Sequence, residues 1–95
     1  MGDNLQSIVD DLRAKLAEGF GLYTSIEFAA GRDPLVLHVL PDGITWIVEL
    51  KYGERVVFDE AVEPKAFVEN LYVFLRYSIN EVTGRGPKRL AVGAN

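Results

Sequence analysis

The chain has 95 residues, enough for one domain built around one shared core, and no cysteine, which excludes disulfides and thiolate metal sites. Its composition, 48% apolar and 25% charged, is that of an ordinary globular domain and argues against disorder. A net charge of -4 excludes broad, nonspecific binding to nucleic acid, where Lys and Arg must displace counterions from phosphates, although it leaves room for a local basic patch.

Residues Asn4 to Glu18 read as an amphipathic helix, because Leu5, Ile8, Val9, Leu12 and Leu16 recur at helical spacing. Asp3 or Asn4 can cap its start, and Gly19 suits its end. Leu22 to Ala29 alternates, with Leu22, Thr24, Ile26 and Phe28 on one side and Tyr23, Ser25 and Glu27 on the other, as in a half-buried strand. The breakers from Ala30 to Pro34 make a loop.

Leu35 to Leu40 is apolar on both faces, and Asp42-Gly43 behind it is a hairpin signal. A two-residue turn at that pair sets Val39 opposite Trp46 and Leu37 opposite Val48. A three-residue turn at Lys51-Tyr52-Gly53 then sets Val48 opposite Val56, Trp46 opposite Phe58 and Glu49 opposite Arg55. Together these registers place Leu35, Leu37, Val39, Trp46, Val48, Leu50, Val56 and Phe58 on one strongly apolar face. Val36, His38, Leu40, Thr45, Ile47, Glu49, Arg55, Val57 and Asp59 fall on the other. Pro64 fits the first turn of a closing helix that runs to about Thr83, before Gly84. Phe67, Leu71, Phe74, Leu75, Ser78 and Val82 form its apolar stripe, with Ala66, Val73 and Tyr77 off it.

The expected fold is α+β: a helix, a four-stranded antiparallel β-meander and a helix, with both helices on one face of the sheet. Residues 1–84 form the domain, and residues 85–95 are expected to be a basic, flexible tail. The start of the chain carries Asp3, Asp10 and Asp11 rather than a basic segment and an unbroken apolar run. No apolar stretch is long enough to span a bilayer, so a soluble, cytoplasmic protein is expected.

No residue pattern specifies catalysis. His38, the single histidine, has no nucleophile assigned beside it and reads as a residue of the outer sheet face. One histidine without cysteine also makes a transition-metal site a poor fit, and no cofactor is implied. Asp59, Glu60 and Glu63 read as charge at the start of the last helix, since alternation along a strand separates neighbouring carboxylates. Gly19-Phe20-Gly21 and Gly84-Arg85-Gly86 follow helices, whereas phosphate-binding loops precede them. Arg76, Arg85, Lys88 and Arg89 concentrate positive charge late in the chain and are candidate contacts for an anionic partner.

The second sheet face is the exception to this plain pattern. Tyr23, Val36, His38, Leu40, Ile47 and Val57 would leave it half apolar, and Val73 and Tyr77 add an apolar strip on the last helix. These eight residues are the candidate protein interface. The expected function is therefore non-enzymatic: a homodimeric adaptor, chaperone-like or inhibitor protein acting through the outer sheet face. A regulator touching nucleic acid through the basic arm is the alternative, and a small enzyme ranks below both. In element order and charge the chain resembles bacterial secretion chaperones and phage-encoded adaptor or inhibitor proteins, with no motif behind the similarity and no family claimed from it.

Overall fold

The computed structural model describes residues 4–84. Asp3 and residues 85–95, including Arg85, Lys88 and Arg89, lie outside them. Helix α1 spans Asn4–Leu16, and strands β1 Leu22–Ile26, β2 Leu35–Asp42, β3 Thr45–Tyr52 and β4 Arg55–Val62 follow. Helices α2 Pro64–Glu69 and α3 Leu71–Thr83 complete the domain. The sheet is an antiparallel meander in the order β1-β2-β3-β4.

Burial follows the two periodicities of the sequence. On α1, Leu5, Val9, Leu12 and Leu16 are buried, the helical stripe. On β2 and β3 the buried residues are Leu35, Leu37, Val39, Val48 and Leu50, every second residue. They belong to one hydrophobic cluster with Phe67, Leu71, Leu75 and Ile79 of α2 and α3. At its edge Phe58 meets Phe74 edge to face at 5.0 Å, and Trp46 meets Phe67 at 6.3 Å. The one buried polar residue among the described residues, Ser78, donates its hydroxyl to the Phe74 carbonyl at 2.8 Å.

Both hairpins differ from the register expected above, for the same reason. The β2–β3 turn is Gly43-Ile44, between paired Asp42 and Thr45, and the β3–β4 turn is Gly53-Glu54, between paired Tyr52 and Arg55. Gly43 has φ +64° and Gly53 φ +61°, while among the described residues none other than glycine has positive φ. Positive φ at the first central residue alone is the signature of a type II′ turn, which suits the twist of hairpin strands as well as the type I′ turn of Asp-Gly does. Val39 therefore opposes Val48 rather than Trp46, and Leu37 opposes Leu50. The slip is two residues, so every side chain of β2 and β3 keeps its face.

In β4 the faces do change. Lys51 opposes Val56 and Leu50 opposes Phe58, leaving Val57 as the extra residue of a bulge. Val56 is thereby turned to the outer face, 51% exposed, and Val57 packs against the core cluster. Both expectations for this pair are reversed, because one inserted residue inverts the alternation up to the turn. Glu49 now faces Asp59 instead of Arg55, and Arg55 reaches Glu81 of α3 at 3.0 Å.

The closing helix is also divided. Asn70, at φ -103° and ψ 15°, leaves the helical region, and its side-chain amide donates to the Ala66 carbonyl at 2.9 Å, which its own backbone N–H also reaches. The carbonyls released at the break are held from α1: Arg13 donates to Val68 O at 3.0 Å and to Glu69 O at 3.2 Å. The Glu63 side chain caps α2, accepting from the N–H groups of Lys65 and Ala66, with Pro64 in the first turn.

Candidate protein-docking face

Alternation along the strands places on the outer face the residues that skip the core. The observed register arranges them in three rows running across the strands. The central row is Tyr23, His38, Glu49, Asp59, each opposite the next on the neighbouring strand. One flanking row is Leu40, Ile47, Ala61, and the other is Ser25, Val36, Lys51, Val56. A polar band is thus bordered on one side by aliphatic side chains and on the other by Val36 and Val56 interleaved with Ser25 and Lys51.

Within the central row the Tyr23 and His38 rings lie 4.9 Å apart, tilted by 36°. Tyr23 is 73% exposed and Leu40 49%. Glu49 and Asp59 are directly opposed like charges, an arrangement that weakens a sheet. Neither carboxylate has a hydrogen-bond or ion-pair partner among the described residues. Lys51 lies two residues along β3, on the same face.

Five of the expected interface residues therefore share this surface: Tyr23, Val36, His38, Leu40 and Ile47. Val57 does not, and Val56 takes its place on this face, across Lys51 from Val36. Val73 and Tyr77 are 66% and 47% exposed on α3, a helix whose buried side joins the core, so they form a separate surface strip. Arg76 is half-buried, its guanidinium 5.5 Å above the Tyr72 ring and donating to the Tyr72 hydroxyl at 3.0 Å. The sequence reading missed two large exposed apolar residues, Phe20 at 86% and Ile44 at 92%. Ile44 is exposed because the turn centre moved onto it, and Phe20 because it lies in the turn after α1, beside Gly21.

The three carboxylates expected at the helix start separate. Glu63 caps α2, Asp59 joins the outer row, and Glu60 opposes Val48 on the other side of the strand. Among the described residues no group of three or more His, Asp or Glu side chains is gathered as metal ligands would be. An open groove of about 410 Å³ lies between the end of α1 and the start of α2, lined by Leu16, Trp46, Pro64 and Val68 among others, and is mainly apolar. Among the described residues no helix is long and apolar enough to cross a membrane. Compared with known protein families, with curated proteins and with solved structures, the chain matches none.

Proposed function

We propose that the protein is a non-enzymatic protein–protein interaction module, an adaptor, chaperone-like or inhibitor protein, that works through the outer face of its sheet. The observation that carries this reading is the face itself. Leu40, Ile47, Val36 and Val56 flank a polar row whose two carboxylates have no side-chain partner among the described residues, on a surface outside the core. Aliphatic side chains left outside the core on a sheet face are a common feature of interfaces. A row of carboxylates and an imidazole within it supplies the directional contacts that select a partner.

The test is site-specific photocrosslinking. A benzoylphenylalanine in place of Ile47 should give one discrete adduct of defined mass, with a second copy or with another protein. The same probe in place of Ala14, exposed on α1, should give none. No adduct at position 47, or equal labelling at both positions, rejects the outer face as the working surface.

A further inference from the structure

We infer that the outer face docks a second copy of this chain, through a two-fold axis that runs along the strands between β2 and β3. This rests on the outer-face reading and specifies its occupant. A two-fold axis in the plane of a face-to-face interface has two natural directions on a sheet. Along the central row it would place each residue over its own copy, Glu49 over Glu49 and Asp59 over Asp59. Four carboxylates would then meet with no cation between them. Along the strands it reverses the order of the row instead.

That reversal makes the row complementary to itself. His38 lies over Glu49 of the partner subunit, and Glu49 lies over the partner's His38. The imidazole N–H donates to the carboxylate whether the ring is neutral or protonated. On the edge strands, the Tyr23 hydroxyl faces Asp59 of the partner subunit. In one flanking row Leu40 meets the partner's Ile47, in the other Val36 meets the aliphatic stem of the partner's Lys51, and each of these contacts occurs twice. The two residues of the row with donors stand on β1 and β2, and the two with only acceptors stand on β3 and β4. The order donor, donor, acceptor, acceptor is what a strand-parallel two-fold requires of an isologous contact. It also gives the opposed Glu49 and Asp59 carboxylates the partners they lack among the described residues.

Sheets packed face to face keep their strands within about 30° of each other, and twist separates the corners first. The contacts nearest the axis, His38 with Glu49 and Leu40 with Ile47, therefore carry the association. Four strands about 4.8 Å apart and three rows about 7 Å apart give a footprint of about 19 by 20 Å. That projection is smaller than the ~800 Å² that each partner buries in a standard interface, which points to micromolar dissociation.

The experiment is sedimentation velocity on the full chain from about 1 to about 200 μM, a range that brackets a micromolar constant. Two variants are compared with the wild type, alone and mixed. His38→Glu sets a carboxylate against the partner's Glu49, and Glu49→Lys sets an ammonium group against the partner's His38. Each alone should weaken dimerisation by about tenfold or more, since His38→Glu desolvates two carboxylates together and Glu49→Lys removes the carboxylate that accepts from the partner's imidazole. Mixed in equal amounts, the two should form a heterodimer, because the cation introduced on β3 of one chain then lies over the carboxylate introduced on β2 of the other. Thermal melts of the dilute variants show that each is folded.

A wild type that stays monomeric throughout the range overturns the inference, and the crosslinking at position 47 still decides the outer-face reading. A dimer lost on Ile47→Asp but indifferent to both charge variants overturns this arrangement and keeps the face. A dimer indifferent to Ile47→Asp and lost on Val73→Glu overturns both readings. Recovery in the mixture after loss in each variant supports the inference.

Discussion

Leucine is placed on both faces of the sheet, which allows one residue type to test the assignment of the core. Leu50 is fully buried between its cross-strand neighbours Leu37 and Phe58, whereas Leu40 is 49% exposed on the outer face. Leu50→Ala removes three carbons, about 2.4 kcal/mol of transfer free energy at ~0.8 kcal/mol each. A residual void of about 40 Å³ at ~24 cal/mol per Å³ adds about 1 kcal/mol. The resulting loss of about 3.5 kcal/mol is a large part of the ~5–15 kcal/mol available to a small domain. At about 4–8 °C per kcal/mol, the melting midpoint should fall by about 14–28 °C. Leu40→Ala, which removes the same carbons from a half-exposed site, should cost less than about 1 kcal/mol. Urea unfolding followed by circular dichroism at about 1 μM gives both numbers with association suppressed by dilution. Equal costs at the two positions, or a loss at Leu50 below about 1 kcal/mol, would refute the face assignment.

Three further outcomes are expected in the same assay. Gly21 has φ +88°, and a Cβ there would clash with the Val39 carbonyl and press on the Pro41 ring, so Gly21→Ala should destabilise by about 2 kcal/mol or more. An unchanged midpoint would mean that the β1 entry has a different backbone. Arg13→Met keeps the aliphatic stem but removes both hydrogen bonds to the end of α2, with an expected loss of about 1–2 kcal/mol, and a loss below about 0.3 kcal/mol would show that water holds those carbonyls equally well. Val57→Ala should cost about 1–2 kcal/mol and Val56→Ala under about 0.5 kcal/mol, and the opposite order would show β4 without its bulge.

Much of this fold was legible because two periods dominate the chain. The α1 stripe, the meander and the faces of β2 and β3 follow from helical spacing and alternation. The hairpin register was not legible, because moving a turn centre by one residue shifts partners by two and leaves alternation intact. Asp42-Gly43-Ile44 accommodates both turns. The bulge was hidden in Val56-Val57-Phe58, where every residue is apolar and a reversed face leaves no mark in the pattern. The break at Asn70 was hidden similarly, since the apolar stripe continues through it. What stabilises the break is Arg13, 55 residues from Val68 in sequence. Five residues of the candidate face were readable from alternation alone. Its polar row was not, because the expected register matched Glu49 with Arg55 and so concealed two neighbouring carboxylates.

The bulge at Val57 bears on how the sheet ends. An open sheet has two edge strands whose unpaired N–H and C=O groups can template a strand from another molecule. Here one edge, β1, is only five residues long. The other, β4, is interrupted by the bulge and carries Arg55, Asp59 and Glu60. Short length, broken pairing and charge each oppose growth of the sheet from molecule to molecule, the first step toward an ordered aggregate. A chain that is nearly half apolar can therefore leave aliphatic side chains on its outer face while its open hydrogen-bonding edges stay poor templates.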